Sequence, residues 1–462
     1  MPIELEQQDL HEQFEQLIAT EDKLAIREFL DDQNIADVAD LINEYPDYEA
    51  QIIANLSIHR AASTFKILDF PTQKRIVAEL PSFKTAELLN ELQADDRTDF
   101  LEDLPKEVLR DLIKLLDPEE RIVTLSLLGY PEDSVGRLMT PDYVYVYEHN
   151  TVAEVFDIIR KYAKNTETID VIYVINDKGQ LMDDLRIKEF ILAAPNKRVN
   201  ELMDERVISL NVKDHQEHAN LVFKMNNRVA LPVVDDNNVL LGIITIDDIL
   251  WVATEEFSED MQKMGGTEAL DEPYLEMPIL KLFRKRVSWM IVLFLGEMLT
   301  ATAMGYFEDE IAKAVVLALF VPLIISSGGN SGSQASTLII QALAVGEISI
   351  SDWWRVLRRE IMSGLLLGTV LGIIGFTRVA VWQQFTHIYG EYWFFIGTTV
   401  GVSLIGVVLW GTLSGSMLPL VLKKLGADPA VSSAPFVATL VDVTGLIIYF
   451  SVAYFFLEGL LL

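Results

Sequence analysis

Five apolar runs crowd the C-terminal part of this chain, at about residues 287–307, 313–344, 361–385, 392–421 and 434–460. Each is long enough to cross roughly 30 Å of hydrocarbon. In lipid only helices and closed barrels satisfy their own backbone, so runs of this length predict a bundle of five membrane-spanning helices. Charges between the runs orient them. Lys281, Arg284, Lys285 and Arg286 precede the first run, Arg355, Arg358 and Arg359 follow the second, and Lys423 and Lys424 follow the fourth. The alternate loops hold Glu308, Asp309, Glu310 and Glu391. Basic residues collect on the cytoplasmic side, which predicts a multi-pass protein of the cytoplasmic (inner) membrane, N-terminus cytoplasmic and C-terminus outside. The acidic first 30 residues lack the basic and apolar regions of a secretory signal, so the N-terminal half is expected in the cytoplasm.

Half of the 462 residues are apolar, yet the net charge is −32. The contradiction disappears when the chain is divided: residues 281–462 hold 11 basic and 11 acidic residues, so the whole excess lies in residues 1–280. So acidic a soluble half argues against nucleic acid, whose phosphates need basic partners, and suits cations. There is no cysteine, which removes disulfides, thiolate metal sites and cysteine catalysis.

The soluble half divides further. In residues 1–133, Leu56, Leu68, Leu80, Leu92, Leu104, Leu116 and Leu128 recur every twelve residues, and Pro71, Pro81, Pro105, Pro118 and Pro131 follow several of them. A proline near a helix start ends the previous helix and opens the next, which predicts an all-α superhelix of short stacked helices. Residues 134–256 alternate strands with helices in two copies, about 134–198 and 199–256. Leu-Met-Thr-Pro at 138–141 and Leu-Met-Asp at 202–204 mark equivalent points. With the tail LPVVDDNNVLLGIITIDDIL this pattern resembles a tandem pair of α/β CBS domains. The first copy departs from it, because GQLMDDLRIKEF lacks the usual Gly-Val after the turn. CBS pairs often hold ATP or another adenosyl nucleotide between their copies, which singles out Lys188 and Asp247; a purely structural pair is the other reading. Residues 257–286 connect this pair to the membrane domain, 287–462, as a mover of the gate or as a passive tether.

One residue in the membrane domain is out of place. Asp442 lies in APFVATLVDVTGLIIYF, and a carboxylate at bilayer depth costs on the order of 3 kcal/mol by insertion scales unless it faces a partner or water. The second run is similarly odd. SSGGNSGSQASTLIIQALA puts glycine, serine, asparagine and glutamine at mid-membrane, too polar for one plain helix; irregular backbone lining a polar pathway and close helix packing are the two explanations. Glu297 is a second intramembrane acid, in LFLGEML, either on the ion path or a packing group.

SSGGNSGSQASTLIIQALA together with LGADPAVSSAPFVATLVDVTG resembles the signature of the MgtE family of magnesium channels, and the domain order resembles that family throughout. The resemblance implies a homodimer with its pore on the two-fold axis, Asp442 as the pore aspartate, and Asn330 and Thr337 beside it. It implies Mg²⁺ as substrate and as a regulatory ligand that closes the pore by binding the cytoplasmic domains. Asp95, Asp99, Asp214, Glu217, Asp248, Glu256, Glu259, Asp260 and Asp428 are the implied regulatory ligands. Trp251 stands where the family is expected to have an acid, so that set is incomplete. Mg²⁺ keeps much of its water and needs few carboxylates, which suits an acidic ring. An ion-coupled carrier using Asp442 and Glu297 is the alternative. An enzyme is not expected: there is no nucleophile–base pair, phosphate loop or histidine metal site.

Overall fold

The computed structural model describes residues 2–460 apart from Glu21, Lys164, Asn165, Glu205 and Glu276, and omits the side chains of residues 2–9, Lys23 and Lys313. It comprises two compact units, Met1–Thr254 and Glu255–Leu462, with the boundary inside one helix, Ile246–Met264.

The first unit opens with the helical array. Its twelve-residue period has a mechanical origin: a helix of two to three turns plus a corner. Leu56, Leu80 and Leu92 sit at those corners in extended backbone, as C-caps of the helices Glu49–Asn55, Phe70–Glu79 and Ser82–Glu91. The prolines behave as expected, Pro71 and Pro118 in the first turn and Pro81 and Pro105 at the N-cap. Several helices pack on the next but one, and the corner leucines face inward. Six of the seven are at most 8% exposed, and only Leu128 is half-buried. One apolar core runs from Phe14 to Leu116.

Two three-stranded sheets follow, β1 (Tyr145–Tyr147), β2 (Val171–Ile175) and β3 (Leu181–Arg186), then β4 (Leu210–Asn211), β5 (Ala230–Val234) and β6 (Leu240–Thr245). In both, a parallel pair is followed by an antiparallel hairpin, with a register shift at the same point, after Val174 and after Val233. The central strands VIYVI and ALPVV are buried along their length because both faces are covered. The hairpin turns meet reciprocally: Leu181 N donates to Asn238 O (2.9 Å) and Leu240 N to Gly179 O (3.0 Å). The two copies therefore share one core of Val171, Tyr173, Ile175, Leu181, Val234, Leu240 and Ile243.

Among the described residues, the second unit contains five helices long and apolar enough to cross a membrane, Ile279–Tyr306, Val315–Ala344, Ile350–Thr386, Gly390–Lys424 and Ala434–Leu457. These are the first to fifth spans. The second differs from expectation. After a short turn at Val315–Ala318 it is one regular helix, Val321–Ala344, and its glycines lie in unbroken backbone. The reason is contact with the fourth span: a Cβ on Gly411 would come within 2.3 Å of Gly328 O, and one on Gly415 within 2.1 Å of Gly332 O. Packing this close requires glycine on both helices. Ser333 and Ser336 donate to Ala434 O (3.0 Å) and Ser432 O (2.8 Å), satisfying carbonyls where the fifth span begins.

Candidate ion path and acidic cluster

The same helix that packs glycines inward presents polar groups outward. Ser326, Asn330, Gln334, Thr337 and Gln341 recur at intervals of three and four on an exposed face, one stripe by helical geometry. On the fifth span, Val437, Val441 and Gly445 are buried, while Asp442 is half-buried, eight residues beyond the helix start at Ala434. The two helices meet at Gly329, where an added Cβ would lie 3.8 Å from Asp442 Oδ1. A cavity of about 410 Å³ opens there. Asp442, Asn330, Ser326, Glu297 and Thr300 supply its polar lining, with Pro322, Ile325 and Leu446 among the apolar walls. Thr300 Oγ1 is buried in this unit without a hydrogen-bond partner among the described residues. Glu297 thus joins Asp442 in the cavity, the two carboxyl groups interacting directly. Thr337 is absent from the lining, two turns further along the second span. Sequence reasoning named Asp442 and Asn330 but missed Ser326 and Thr300, whose helical register with Asn330 and Glu297 was readable.

A second concentration of oxygens lies within the first unit, where the helix Ala94–Glu102 meets the start of Ile246–Met264. Asp95 and Asp96 come from the first helix, Asp247 and Asp248 from the second, and Glu167 from the loop before β2. Lys66 Nζ lies 3.4 Å from Asp96 Oδ2 and 4.0 Å from Asp247 Oδ2. Asp248 Oδ2 accepts from Thr245 Oγ1 (2.6 Å) and Thr245 N (3.2 Å). Burial, then the neighbouring Asp248, pushes the Glu167 carboxyl up to about 7. Burial, with Asp247 and Asp96 adding to it against the Thr245 bonds, pushes Asp248 up to about 6. Asp95 is held well above the usual carboxylate range by burial and then by Asp248, Asp96 and Glu167. Asp95 Oδ1 and Glu167 Oε2 are buried without a hydrogen-bond partner among the described residues. Nothing in the sequence around Glu167 announced its place here.

The other expected ligands lie outside this cluster. Asp99 is exposed one turn beyond Asp95 and adds to the field at Glu102. Asp214 Oδ2 accepts from Asn211 N (2.9 Å), fixing a turn. Glu217 is exposed in the first turn of Gln216–Asn226. Glu256, Glu259 and Asp260 lie in the second unit, on Ile246–Met264, half-buried. Asp428 caps the turn Pro429–Val431 and is bonded to Lys263, which also holds Glu259. Trp251 is 62% exposed.

For a nucleotide, Lys188 is exposed on Ile187–Leu192, whereas Asp247 is turned to Lys66 and Thr245. The departure from Gly-Val in the first copy has a structural consequence. Asp184, on β3, reaches Arg228 Nη1 before β5 (2.7 Å), so an ion pair spans the two copies. Asp183 accepts from Asp184 N and Asp204 N, both at 2.8 Å. Burial, then opposing Arg228, sets Asp184 at about 6, with Asp183, Asp204 and Glu189 adding negative field.

Five spans, of which the first, second and fifth line a carboxyl-bearing cavity, together with an acidic N-terminal unit, define a membrane transporter of cations. Comparison with known proteins narrows this. The family model described as divalent cation transporter, MgtE, matches residues 321–452, the MgtE intracellular N domain matches 33–133, and the CBS domain matches 135–193 and 199–255. The magnesium transporter MgtE of Thermus thermophilus is 40% identical over 368 residues, 79% of this chain and 80% of that protein. That of Bacillus subtilis is 30% identical over 435 residues, 94% of each. Among solved structures, the cytosolic domain of the Mg²⁺ channel MgtE in complex with ATP is 34% identical and covers 52% of this chain and 98% of that one (TM-score 0.50). The soluble part of a magnesium transporter is 25% identical over 54% of this chain and 99% of that one (TM-score 0.51). The chain belongs to the MgtE family of magnesium transporters.

Proposed function

We propose that this protein is a passive Mg²⁺ channel whose path runs through the Asp442 cavity of two identical subunits, importing Mg²⁺ and closing when the ion rises inside. The observation that carries the reading is the polar stripe of the second span, which meets the carboxyl-lined cavity and is exposed among the described residues. Amides and carboxylates facing lipid are costly. A second copy across a two-fold axis would cover them and bring a second Asp442 opposite the first. Two carboxylates with amide and hydroxyl oxygens suit an ion that stays largely hydrated, and weak multiple contacts allow release as well as entry. The N-terminus is assigned to the cytoplasm and the C-terminus to the outside by the loop charges.

Closure follows from charge. The acids around Lys66 repel one another when their helices approach, so Mg²⁺ binds the packed arrangement better and favours it by mass action. Asp95, Asp96, Glu167, Asp247 and Asp248 are the ligands this reading selects. The CBS pair serves as the link to the connecting helix, and ATP or another adenosyl nucleotide is its proposed ligand, a reading supported by the 34% identical cytosolic domain solved in complex with ATP.

The deciding experiment is Mg²⁺ uptake into liposomes by Asp442→Asn, with subunit association checked by size-exclusion chromatography. Loss of flux with an intact dimer supports the reading, and wild-type flux refutes it. The Glu297–Asp442 pair favours one other reading, a carrier that exchanges protons for Mg²⁺. Glu297→Gln separates the two: a carrier loses its dependence on a pH gradient, whereas a channel has none to lose.

A further inference from the structure

Glu259 and Asp428 were each among the implied Mg²⁺ ligands, and the structure brings them to one place. A side chain fills that place instead. Lys263 Nζ lies 2.5 Å from Glu259 Oε1 and 2.7 Å from Asp428 Oδ2. We propose that Lys263 is a resident cation tying the connecting helix to the turn before the fifth span, so that this contact does not respond to Mg²⁺.

Three observations support the assignment. The three side chains are each about two-thirds sheltered, with exposures of 29%, 35% and 33% for Lys263, Glu259 and Asp428, so solvent screens the pair less than a surface pair. The ammonium reaches both carboxylates at once, so one positive charge is shared between two segments. Finally, the other Asp428 oxygen accepts from Ala430 N (2.8 Å), which orients the carboxyl and leaves it little freedom to turn toward a metal. A divalent ion between the same two carboxylates would have to displace a cation that is covalently attached.

The tie also has somewhere to transmit. Gly266, at φ +76°, ends the helix, and its surroundings are full: a Cβ there would sit 2.8 Å from the Trp289 ring and 3.3 Å from Pro435. Trp289 Nε1 donates to Ser433 Oγ (3.2 Å), the residue that caps the Asp442 helix. Farther on, Glu268 N donates to Lys285 O (3.0 Å), and Lys285 pairs with Asp271 (2.6 Å). The segment after Lys263 is thus strapped along the first and fifth spans, and Lys263 anchors its leading end. The inference rests on the proposed Mg²⁺ gating only in asking which acids take no part in it.

The chain has no cysteine, so spin labels attach only where cysteine is introduced. Ser258→Cys and Lys424→Cys, both exposed positions, report the contact in the full-length protein, diluted with unlabelled subunits and measured by pulsed dipolar spectroscopy. With Lys263 intact, one narrow distance is expected, the same in chelator and in saturating Mg²⁺. Lys263→Met should lose that narrow distance in chelator, and Lys263→Arg should keep it. A Lys263→Met protein as narrow in chelator as wild type overturns the proposal, and so does a wild-type distance that shifts with Mg²⁺. Mg²⁺-dependent flux of the unlabelled wild type, measured in parallel, tests the gating reading separately: flux indifferent to internal Mg²⁺ would refute that reading and leave the label result intact.

Discussion

Around Lys66 the chain draws four acids from three separate segments onto one ammonium, with Asp95 buried beside them. Around Asp442 it gathers two carboxyl groups and several neutral oxygens in an open cavity. In the proposed channel, the first arrangement is a store of repulsion that arriving cations would relieve, and the second has enough charge to attract an ion and too little to trap it. A binding site that senses and a path that conducts therefore need opposite densities of carboxylate. Perturbing each should separate them, because the cavity should govern how much Mg²⁺ passes and the cluster at what concentration passage stops.

The largest effect is expected at Asp442. Asp442→Ala removes the acid of the path and should reduce Mg²⁺ flux in liposomes to the background of empty vesicles, while chelator-dependent protease protection of the soluble unit stays as in wild type. Asn330→Ala, which removes one neutral oxygen from the same cavity, should lower flux by roughly tenfold, the loss of about 1.4 kcal/mol of ion stabilisation. A change in the protection profile of either variant would mean that cavity and cluster are not separable.

The cluster should show the reverse pattern, and pH tests it without mutation. In the packed arrangement Glu167 sits at about 7 and Asp248 at about 6, both above their ordinary values. Their ionised forms therefore oppose packing above those values, and protonation relieves the opposition as pH falls through them. Lowering pH from about 8 to about 6 should shift protease protection to lower Mg²⁺, on the order of twofold to fivefold. Asp248→Asn should remove much of that pH dependence. A midpoint that rises as pH falls would refute the repulsion account.

Much of this organisation was legible in the sequence, and the parts that were not share a cause. The leucine period survived because a helix plus a corner has a fixed length, whatever it packs against. The five spans were readable because lipid leaves the backbone few options. Partners were not readable: Glu167 comes from a loop, and Lys66 and Lys263 appear in sequence as ordinary surface charges although each sits between carboxylates of two segments. The second span was misjudged for the same reason. Its small and polar residues left broken backbone and close packing both open, and only the facing Gly411 and Gly415 show that the glycines are packing groups in a regular helix.

That resolution of the second span leads to the smallest expected effect. The helix divides by face: Gly328 and Gly332 belong to packing, and Asn330 to the cavity. Thr337 lies on the same exposed stripe as Asn330 but seven residues on, about 10 Å along the axis, and is outside the cavity lining. If the stripe chiefly keeps polar groups against a second subunit, one hydroxyl beyond the ion's closest contacts contributes little. Thr337→Ala should then change flux by less than about twofold, within the ±0.5 kcal/mol typical of substitutions away from a special feature. Thr337→Leu should weaken subunit association more than it lowers the flux of the dimer that remains. Should Thr337→Ala lose flux as severely as Asn330→Ala, the path extends along the stripe beyond the cavity, and the contrast between a small conducting site and a crowded sensing site would have to be redrawn around a longer pore.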